Sequence, residues 1–413
     1  MQEFAGKILM ISESSFPEDP RVRNEAFTLS KEGYKIIFIA RNNGEKKFRE
    51  NINGVSVYRI PHISLFKKST SSKTAMGIWL FRFTSAVGYM FEYFYFTLAS
   101  LVLSLYIVLK ENFNFIHIHN PPNTLFIIGL IFRIFGKKYV FDHHDLAPEL
   151  YLSKYKIQSD LVYKILLAEE SLSLKLANLV IATNESYKKI DIKRGRLKQD
   201  KVFVVRNGPD LENFRLVAPD FELKNMGKTI LAYVGVMGPQ DGIDYLLRAL
   251  HYMVYSIKRY DFFCIIIGSG DAIVDLKLMS KDLKIEDYIR FTGYIPHGDL
   301  LRYLSTADIC LDPNPSNPLN DSSTWIKVME YMALGKPIVS FDLKETRFSA
   351  QTAAVYVPPN DEKKYAKSIV QLMEDPDKRA KMGEFGRARI LNELAWQHVS
   401  KNLLRAYRSF KTK

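Results

Sequence analysis

The sequence predicts an α/β protein made of two consecutive units, each with a parallel sheet covered by helices. Short runs of β-branched and aromatic residues alternate with helical patterns, which is typical of a parallel sheet with helices on its faces. The alternation stops at a loop-rich connector near residues 207–226 and then restarts. The length of 413 residues and the hydrophobic fraction of 47% also suit two domains with substantial cores.

The strands of each unit are predicted from short apolar runs. In the first unit these runs are "KILMIS", "KIIFIA", "VSVYRI", "FIHIHN", "KYVFDHH", "LVIAT" and "KVFVV". In the second unit they are "TILAYVG", "FFCIIIG", "IRFTGY", "ICLDP", "PIVSFD" and "AAVYVP". Two helical patterns, "DEKKYAKSIVQLME" and "ELAWQHVSKNLLRAYRSF", close the chain.

Charge and cysteine content restrict the classes of function. The net charge is +13, and most of the excess lies before residue 216, so the first unit is expected to attract anionic lipid or phosphorylated molecules. The sequence shows no nucleic-acid-binding signature, so we expect no nucleic-acid partner. Cys264 and Cys310 lie in apolar runs and are expected to be reduced core residues of a cytoplasmic protein. The start "MQEFAGKILMIS" does not resemble a signal peptide.

An uncharged stretch at residues 93–109, "YFYFTLASLVLSLYIVL", leaves three alternatives: a buried helix, a helix lying in the membrane interface, or a membrane span. The preceding segment "FKKSTSSKTAMGIWLFRF" mixes basic and aromatic residues, which suits anionic headgroups. A single crossing would place "KILMIS" and "FIHIHN" on opposite sides of the bilayer, although both are expected in one sheet. This argues against a span.

Residues 322–339, "SSTWIKVMEYMALGKPIV", predict a helix followed by a short strand. Ser322, Ser323 and Thr324 are predicted to cap the start of the helix, and Gly335 is predicted to follow its end. A helix N-terminus attracts phosphate through its free N–H groups and its dipole.

Lys327 and Glu330 are three residues apart and therefore share one face of this helix. The ammonium group of Lys327 suits a diphosphate, and the carboxylate of Glu330 suits ribose hydroxyl groups. A surface ion pair on an ordinary helix is the alternative. Ligands of parallel sheets bind beyond the carboxyl ends of the strands, so the loops that follow the strands are the other candidate positions.

Several segments in order resemble the family-4 glycosyltransferases, and the resemblance covers essentially the whole chain. They are "FPEDPRVRNEAFTLSKEGYKI", "VVRNGPDLENF", "YVGVMGPQDGIDYLLRAL", "IIIGSGD", "IRFTGYIPHGDLLRYLSTADICLDP", "KVMEYMALGKPIV" and "WQHVSKNLLRAY". The first of these is similar to a subgroup common in the synthesis of bacterial surface polysaccharides and lipopolysaccharides.

The resemblance implies the GT-B fold, in which two Rossmann-like domains face each other across a cleft. It implies an N-terminal acceptor domain at 1–208, a nucleotide-sugar-binding domain at 209–392, and a helix at 393–413 that packs back on the first domain. It also implies retaining, metal-independent transfer that needs no cofactor beyond a nucleotide-sugar donor. UDP-sugars are the first expectation and GDP-sugars the next.

The resemblance also implies roles for individual residues on the donor side. Glu330 would hold the ribose, and the remaining donor contacts would come from loop residues. Lys327 is expected to stabilise the leaving diphosphate because a diphosphate needs cationic partners and the usual loop cations are absent. Those loop residues are Gly235, Met237, Gly238, Gly268, Tyr294, Ile295, Pro296, Ser322, Ser323 and Thr324.

In the first unit, the resemblance places a histidine near the anomeric carbon. His144 is favoured over His143 because a His–Asp–Leu order is usual there. The acceptor or its phosphate would be contacted by residues Arg21, Arg23, Asn120 and Asp145. The alternatives are a structural role for the two histidines and surface salt bridges for the two arginines.

The chain departs from the family pattern at three places. Ser322 replaces the first of two glutamates, Val236 and Gln240 stand near the usual basic positions of the glycine loop, and "SSFPEDPRVR" replaces a Gly-Gly turn. These departures leave open a non-catalytic, nucleotide-sugar-binding partner subunit. An epimerase, a phosphorylase and a dehydrogenase are weaker alternatives, since neither a pyridoxal-binding lysine context nor a complete dinucleotide fingerprint is evident.

The expected acceptor is a saccharide or a lipid-linked saccharide. The basic first half and the apolar stretch predict peripheral contact with the anionic inner face of the cell membrane.

Overall fold

The computed structural model describes residues 6–44, 46–63, 75–155 and 159–410, with side chains described from residue 88 onward in the helix that starts at Ala75. The segment 66–74 and the side chains of 75–83, on which part of the membrane prediction depends, lie outside this description. The chain divides into two compact units. Unit 1 comprises Met1–Tyr151, Gln158–Arg206 and Ser400–Lys413, and unit 2 comprises Leu152–Ile157 and Asn207–Val399.

Unit 1 contains an eight-stranded sheet with the order β3-β4-β2-β1-β5-β6-β7-β8. All neighbouring strands are parallel except β3 and β4. The strands are β1 Gly6–Ile11, β2 Tyr34–Asn42, β3 Arg49–Ile52, β4 Val55–Pro61, β5 Phe115–His119, β6 Lys138–His143, β7 Leu179–Ala182 and β8 Val202–Val204. The helices are α1 Pro20–Lys31, α2 Ala75–Lys110, α3 Phe126–Ile134, α4 Ala147–Tyr155, α5 Leu161–Leu176 and α6 Glu185–Gly195.

Unit 2 contains a six-stranded parallel sheet with the order β11-β10-β9-β12-β13-β14. Its strands are β9 Thr229–Val234, β10 Phe262–Ile267, β11 Ile289–Gly293, β12 Ile309–Asp312, β13 Ile338–Phe341 and β14 Ala354–Val357. Its first helices are α7 Phe221–Lys224, α8 Ile243–Tyr252, α9 Ile273–Asp282, α10 His297–Thr306 and α11 Ile326–Ala333. They are followed by α12 Lys344–Ala350, α13 Glu362–Met373, α14 Pro376–Arg389 and α15 Trp396–Arg408.

The prediction of two parallel-sheet α/β domains is confirmed, and every predicted strand is present. The strands are continuous apolar runs because helices cover both faces of each sheet, as in β10, whose six residues are all buried. The exception is β3, which the sequence analysis does not predict. It is a polar edge strand joined to β4 through Asn53 and Gly54, both with positive φ, which is the usual chemistry of a tight hairpin.

The predicted helix at the C-terminal end begins later than expected. Residues 390–394 form a π-helical turn, Ala395 is extended, and α15 starts only at Trp396. The last part of α15 belongs to unit 1, where Tyr407 is fully buried and contacts His117. The amphipathic pattern of this helix is thus used to complete the core of unit 1.

The apolar stretch at 93–109 is part of α2, which connects β4 to β5 of the same sheet. The segment Gly88–Lys110 is long and apolar enough to cross a membrane. Only 39% of its apolar stretch is buried within the protein. Large apolar side chains with at least two-fifths of their surface exposed recur every three or four residues: Met90, Phe94, Leu98, Val102, Leu105 and Leu109. The described part of the helix, Gly88–Lys110, is therefore not simply a buried core helix, because one of its faces is exposed.

Candidate functional site

In unit 2 the strand order reverses between β9 and β12, and the candidate donor residues lie in the loops beyond these strands. Gly235 follows β9 with φ +155, and Gly268 follows β10 with φ +128. A Cβ atom on Gly268 would lie 2.0 Å from the carbonyl oxygen of Gly235. The two loops are therefore packed backbone against backbone, which only glycine allows at position 268.

The loop that follows Gly235 is held by its own hydrogen bonds. The N–H group of Gly238 donates to Asp241 Oδ2 at 2.8 Å, and the Met237 N–H donates to the carbonyl oxygen of Ser269 at 3.1 Å. The side chain of Met237 is fully buried in the core of unit 2. Met237 therefore supports the loop from below, and its side chain is not placed to touch a ligand.

Lys327 lies on the first turn of α11 and is only 7% exposed. Its Nζ atom lies 3.5 Å from Asp312 Oδ1, 3.4 Å from the hydroxyl of Tyr233, and over the rings of Tyr233 and Trp325. A buried ammonium group needs such partners because desolvation of a charge is costly. Lys327 is thus a fixed cation beside the loop of Gly235, and not one half of a surface ion pair.

Glu330 follows Lys327 on the same helical face and is partly buried. Burial raises the pKa of Glu330 to about 7, against the opposing charge of Lys327. A carboxyl group with this pKa changes its charge near neutral pH. It is suited to accept hydrogen bonds from hydroxyl groups when it is ionised.

Buried polar atoms without a hydrogen-bond partner gather around these residues. Among the described residues they include Trp325 Nε1, Asp312 Oδ1, Gln240 Oε1 and Asn320 Oδ1. The amide nitrogen of Asn320 donates to the carbonyl oxygen of Gln240 at 3.0 Å, so the loops that carry these atoms are adjacent. Such atoms are rare in folded proteins, and a polar ligand is one way to satisfy them.

The predicted capping role of Ser322, Ser323 and Thr324 is wrong. Helix α11 begins at Ile326, and its N-cap residue, Trp325, makes no side-chain capping bond. The hydroxyl of Ser323 instead donates to the carbonyl oxygen of Leu319 at 2.8 Å and stabilises the preceding turn. The end of the helix agrees with the prediction, since Gly335 has φ +62 directly after the C-cap.

The three residues predicted to line the base follow β11. Tyr294 is 84% exposed, Pro296 is exposed at the start of α10, and Ile295 packs partly against the core of unit 2. An exposed aromatic side chain beside a glycine-rich strand end is available to a ligand, whereas Ile295 mainly anchors the loop.

In unit 1 the corresponding reversal of strand order lies between β1 and β5. His144 follows β6, and its Nε2 atom lies 2.8 Å from Asp142 Oδ2 and 3.0 Å from His119 Nδ1. Burial opposes ionisation of Asp142, but the charge of His144 and the contacts with the neighbouring histidines together hold the pKa of Asp142 well below its ordinary value. Asn120 fixes the loop, since its Oδ1 atom accepts from the His144 N–H at 2.7 Å.

His143 occupies a different environment on the other side of the same strand. It is fully buried, with Nδ1 2.7 Å from Asp191 Oδ1 and Nε2 3.4 Å from Glu170 Oε2. Burial disfavours its charged form, yet the charges of Asp191 and Glu170 outweigh it and raise the pKa of His143 to about 10. Its partners give His143 a structural role and leave His144 as the better candidate.

Arg21 and Arg23 lie at the start of α1. Arg21 forms two hydrogen bonds with Asp19, at 3.1 and 2.9 Å, and its Nη1 atom lies 4.0 Å from Asp145. Burial opposes ionisation of Asp19, but the charge of Arg21 lowers the pKa of Asp19 to about 2. Arg21 is therefore a positioned cation near the His144 loop, while Arg23 makes only weak contacts of 3.4 and 3.5 Å.

Comparison with known proteins agrees with this fold. Residues 21–213 match the Glycosyltransferase Family 4 model, and residues 217–389 match the model for Glycosyl transferases group 1. The chain therefore belongs to the family-4 glycosyltransferases and has the GT-B type of fold.

One relative is a GDP-mannose-dependent monoacylated alpha-(1-6)-phosphatidylinositol monomannoside mannosyltransferase of Corynebacterium glutamicum. It is 26% identical over 209 residues, which is 48% of this chain and about half, 53%, of that protein. Among solved structures, sucrose-phosphate synthase from Thermosynechococcus elongatus superimposes with a TM-score of 0.76 at 18% identity, covering 98% of this chain and 99% of that one. The structure of Anabaena Alr3699/HepE in complex with UDP-glucose superimposes with a TM-score of 0.71 at 14% sequence identity. The match covers 99% of this chain and 100% of that one.

Four residues that hold the candidate groups were not predicted from the sequence. Asp312 ends β12, Tyr233 and Asp142 are the second-last residues of β9 and β6, and Trp325 precedes α11. The signal available was the position of polar or aromatic residues at the carboxyl ends of central strands. Their contacts with Lys327 and His144 depend on the fold and cannot be inferred from the spacing of these residues along the sequence.

Proposed function

We propose that this glycosyltransferase is a retaining enzyme that moves a sugar from a nucleotide sugar to a saccharide or lipid-linked saccharide acceptor in cell-surface polysaccharide synthesis. The donor is a UDP-sugar in the first instance and a GDP-sugar in the next, and the transfer itself uses no metal ion or further cofactor. The observation that carries the proposal is the buried ammonium group of Lys327, held at the start of α11 with Glu330 one turn away.

Lys327 stabilises the negative charge that develops on the leaving diphosphate, together with the N-terminal end of α11. A cation that is already desolvated and held in place requires little reorganisation when the bond breaks. The bond between the anomeric carbon and the phosphate oxygen breaks as the acceptor hydroxyl forms its bond on the same face of the sugar. The departing phosphate oxygen takes the hydroxyl proton.

Glu330 accepts hydrogen bonds from the ribose hydroxyls, and the loops of Gly235 and Gly268 bring backbone groups close to the donor. In unit 1, His144 orients the transferred sugar, because Asp142 and Asn120 fix its ring and its backbone. Arg21 and Asp145 contact the acceptor or its phosphate.

The donor class is tested by thermal-shift screening of the protein with UDP-, GDP- and ADP-sugars, since a bound ligand raises the melting temperature by mass action. A rise with one nucleotide class, followed by transfer from that donor, supports the proposal. Wild-type turnover in both His144→Ala and Lys327→Ala would contradict it. Donor binding without transfer to any acceptor tried would favour the alternative of a non-catalytic partner subunit.

The uncovered face of α2 supports contact with an anionic membrane surface on the cytoplasmic side. Its apolar side chains recur at helical spacing, and the chain carries a net charge of +13, a combination that suits interfacial helices. Because β4 and β5 flank α2 and belong to one sheet, a helix lying in the interface is favoured over a span.

Flotation with anionic liposomes at low salt tests this contact. We expect the wild-type protein to float and the double variant Phe94→Ser/Val102→Ser to bind about tenfold more weakly, since two exposed apolar side chains no longer insert. The matched control is Val274→Ser/Leu278→Ser, which removes equally exposed apolar residues from unit 2. If the wild-type protein stays in solution, or if both variants behave alike, the assignment of the α2 face is wrong.

A further inference from the structure

A second group of ionisable side chains in unit 1 lies beneath the His144 loop and is completely enclosed. It consists of Glu25 on α1, His117 and His119 on β5, and Asp142 on β6. None of these four residues is more than 2% exposed. One ligand atom from each of them lies within 4.8 Å of the other three.

His119 Nδ1 lies at hydrogen-bond distance, 2.8 Å, from Asp142 Oδ2, but the atoms around His117 Nε2 are farther apart. His117 Nε2 lies 3.7 Å from Glu25 Oε2 and 3.6 Å from Asp142 Oδ2, which is too long for a hydrogen bond. Among the described residues, Glu25 Oε2 and His117 Nε2 have no hydrogen-bond partner. Two metal ligands in a tetrahedral zinc site are separated by roughly 3.3 Å, because each lies about 2.0 Å from the metal.

The other nitrogen of His117 is arranged as it is in metal-ligating histidines. Its Nδ1 atom lies 2.9 Å from the hydroxyl of Tyr407, so an Nδ1–H group can donate to that oxygen and leave Nε2 free to bind a cation. Such an outer partner fixes the tautomer and the ring orientation of a metal ligand. The ring of His119 stacks on that of His117 with centroids 4.3 Å apart, which directs both toward the same space.

The charge balance distinguishes this cluster from the neighbouring one around His143. There, Arg194 forms an ion pair with Glu170, and the imidazolium of His143 supplies a further positive charge. Within the described part of the chain, no lysine or arginine forms an ion pair with Glu25 or Asp142, whose close partners are histidines. The charge of Arg21 acts on both carboxyl groups only from a longer distance. Two carboxylates buried together require either a retained proton or a cation.

We propose that Glu25, His117, His119 and Asp142 form a buried binding site for a divalent transition-metal ion of the zinc class, which stabilises unit 1. Two imidazoles and two carboxylates form a ligand set that such ions accept. The ligand atoms need to move inward by less than about 1 Å to reach bonding distance. Because the site is enclosed, the ion would be bound as the domain folds.

The site is tested by measuring the metal content of protein expressed in zinc-supplemented medium, with elemental analysis after extensive dialysis. We expect about one zinc ion per wild-type chain and less than about 0.2 in Glu25→Gln and in His117→Asn. The matched control is Glu170→Gln, which alters the neighbouring buried histidine cluster and should leave the metal content unchanged. Zinc added to chelator-treated wild-type protein should raise its melting temperature by several degrees.

X-ray absorption of the zinc-loaded wild-type protein keeps the test independent of whether the variants fold. Nitrogen and oxygen ligands at about 2.0 Å are expected. A metal-free wild-type protein with no zinc-dependent change in melting temperature would overturn the proposal and leave a proton shared by Glu25 and Asp142. Equal metal content in wild type, Glu25→Gln and His117→Asn would also overturn it, because the ion would then bind elsewhere. Neither result bears on donor binding in unit 2.

Discussion

The Nζ atom of Lys327 lies 3.5 Å from the carboxylate of Asp312, while the hydroxyl of Ser340 donates to the other oxygen of that carboxylate at 3.0 Å. Asp312 ends β12, and Lys327 lies on the first turn of the helix that follows the next loop. A buried carboxylate therefore holds the cation in place, and a diphosphate would share the charge of an ammonium group that is already oriented. The candidate donor site depends on this pair.

Replacing Lys327 with methionine removes this cation while keeping most of the side-chain volume. We expect the affinity for UDP, or for GDP if that is the donor base, to fall about tenfold to a hundredfold, because hydrogen bonds to a charged group are lost. Isothermal titration calorimetry measures this change. Lys336→Met is the control, since Lys336 is a half-buried lysine that donates to the carbonyl oxygens of Ser305 and Ala307. Equal losses in both variants would contradict a specific role for Lys327.

The pKa of Glu330 predicts a pH dependence of stability. Between its ordinary value of 4.5 and its folded value of about 7, the carboxyl is protonated in the folded chain and ionised in the unfolded chain. The free energy of unfolding therefore falls as the pH rises through this window, by at most about 3 kcal/mol. Urea unfolding at pH 5 and pH 8 measures the difference in the free energy of unfolding between the two pH values. The variant Glu330→Gln should lack the share of this difference that Glu330 contributes. A variant with the same pH profile as wild type would exclude Glu330 as the source.

Substitutions of the adjacent histidines His143 and His144 are expected to have different effects, one on stability and the other on turnover. His143→Leu leaves the carboxylates of Asp191 and Glu170 buried without their imidazolium partner, so we expect a loss of about 3–5 kcal/mol in the free energy of unfolding. His144→Asn should retain the fold and lower turnover about a hundredfold through loss of an oriented donor. Denaturant unfolding and a transfer assay together measure both effects. The opposite pattern would make His143 the active-site histidine.

The contact between Gly268 and Gly235 predicts a strong effect of a single methyl group. In Gly268→Ala, the new Cβ atom would lie 2.0 Å from a carbonyl oxygen at a φ of +128, so the loop must move. We expect a loss of about 3 kcal/mol in the free energy of unfolding, with weaker nucleotide binding. Gly298→Ala is the control, because its Cβ would meet nothing within 4 Å. Thermal unfolding with and without UDP distinguishes the two, and a neutral Gly268→Ala would show that the loops are not tightly packed.

The sequence alone predicts the two alternating α/β units, since continuous apolar strands and amphipathic helices are local patterns with fixed periods. It also indicated Lys327 and Glu330, because residues three apart share a helical face whatever the fold. It missed β3, whose side chains are mostly polar and lie at an edge, so the hydrophobic pattern is absent there and only Asn53-Gly54 indicated the hairpin.

The tertiary structure was needed for every feature that depends on contacts between residues distant in the chain. It separated His143 from His144, because successive side chains at a strand end point to opposite faces and therefore meet different neighbours. It started α11 at Ile326 and not at the hydroxyl residues before it, where the hydroxyl of Ser323 donates to the carbonyl oxygen of Leu319. It also brought Glu25 beside His117 and Asp142, a contact between three elements that no spacing in the sequence records.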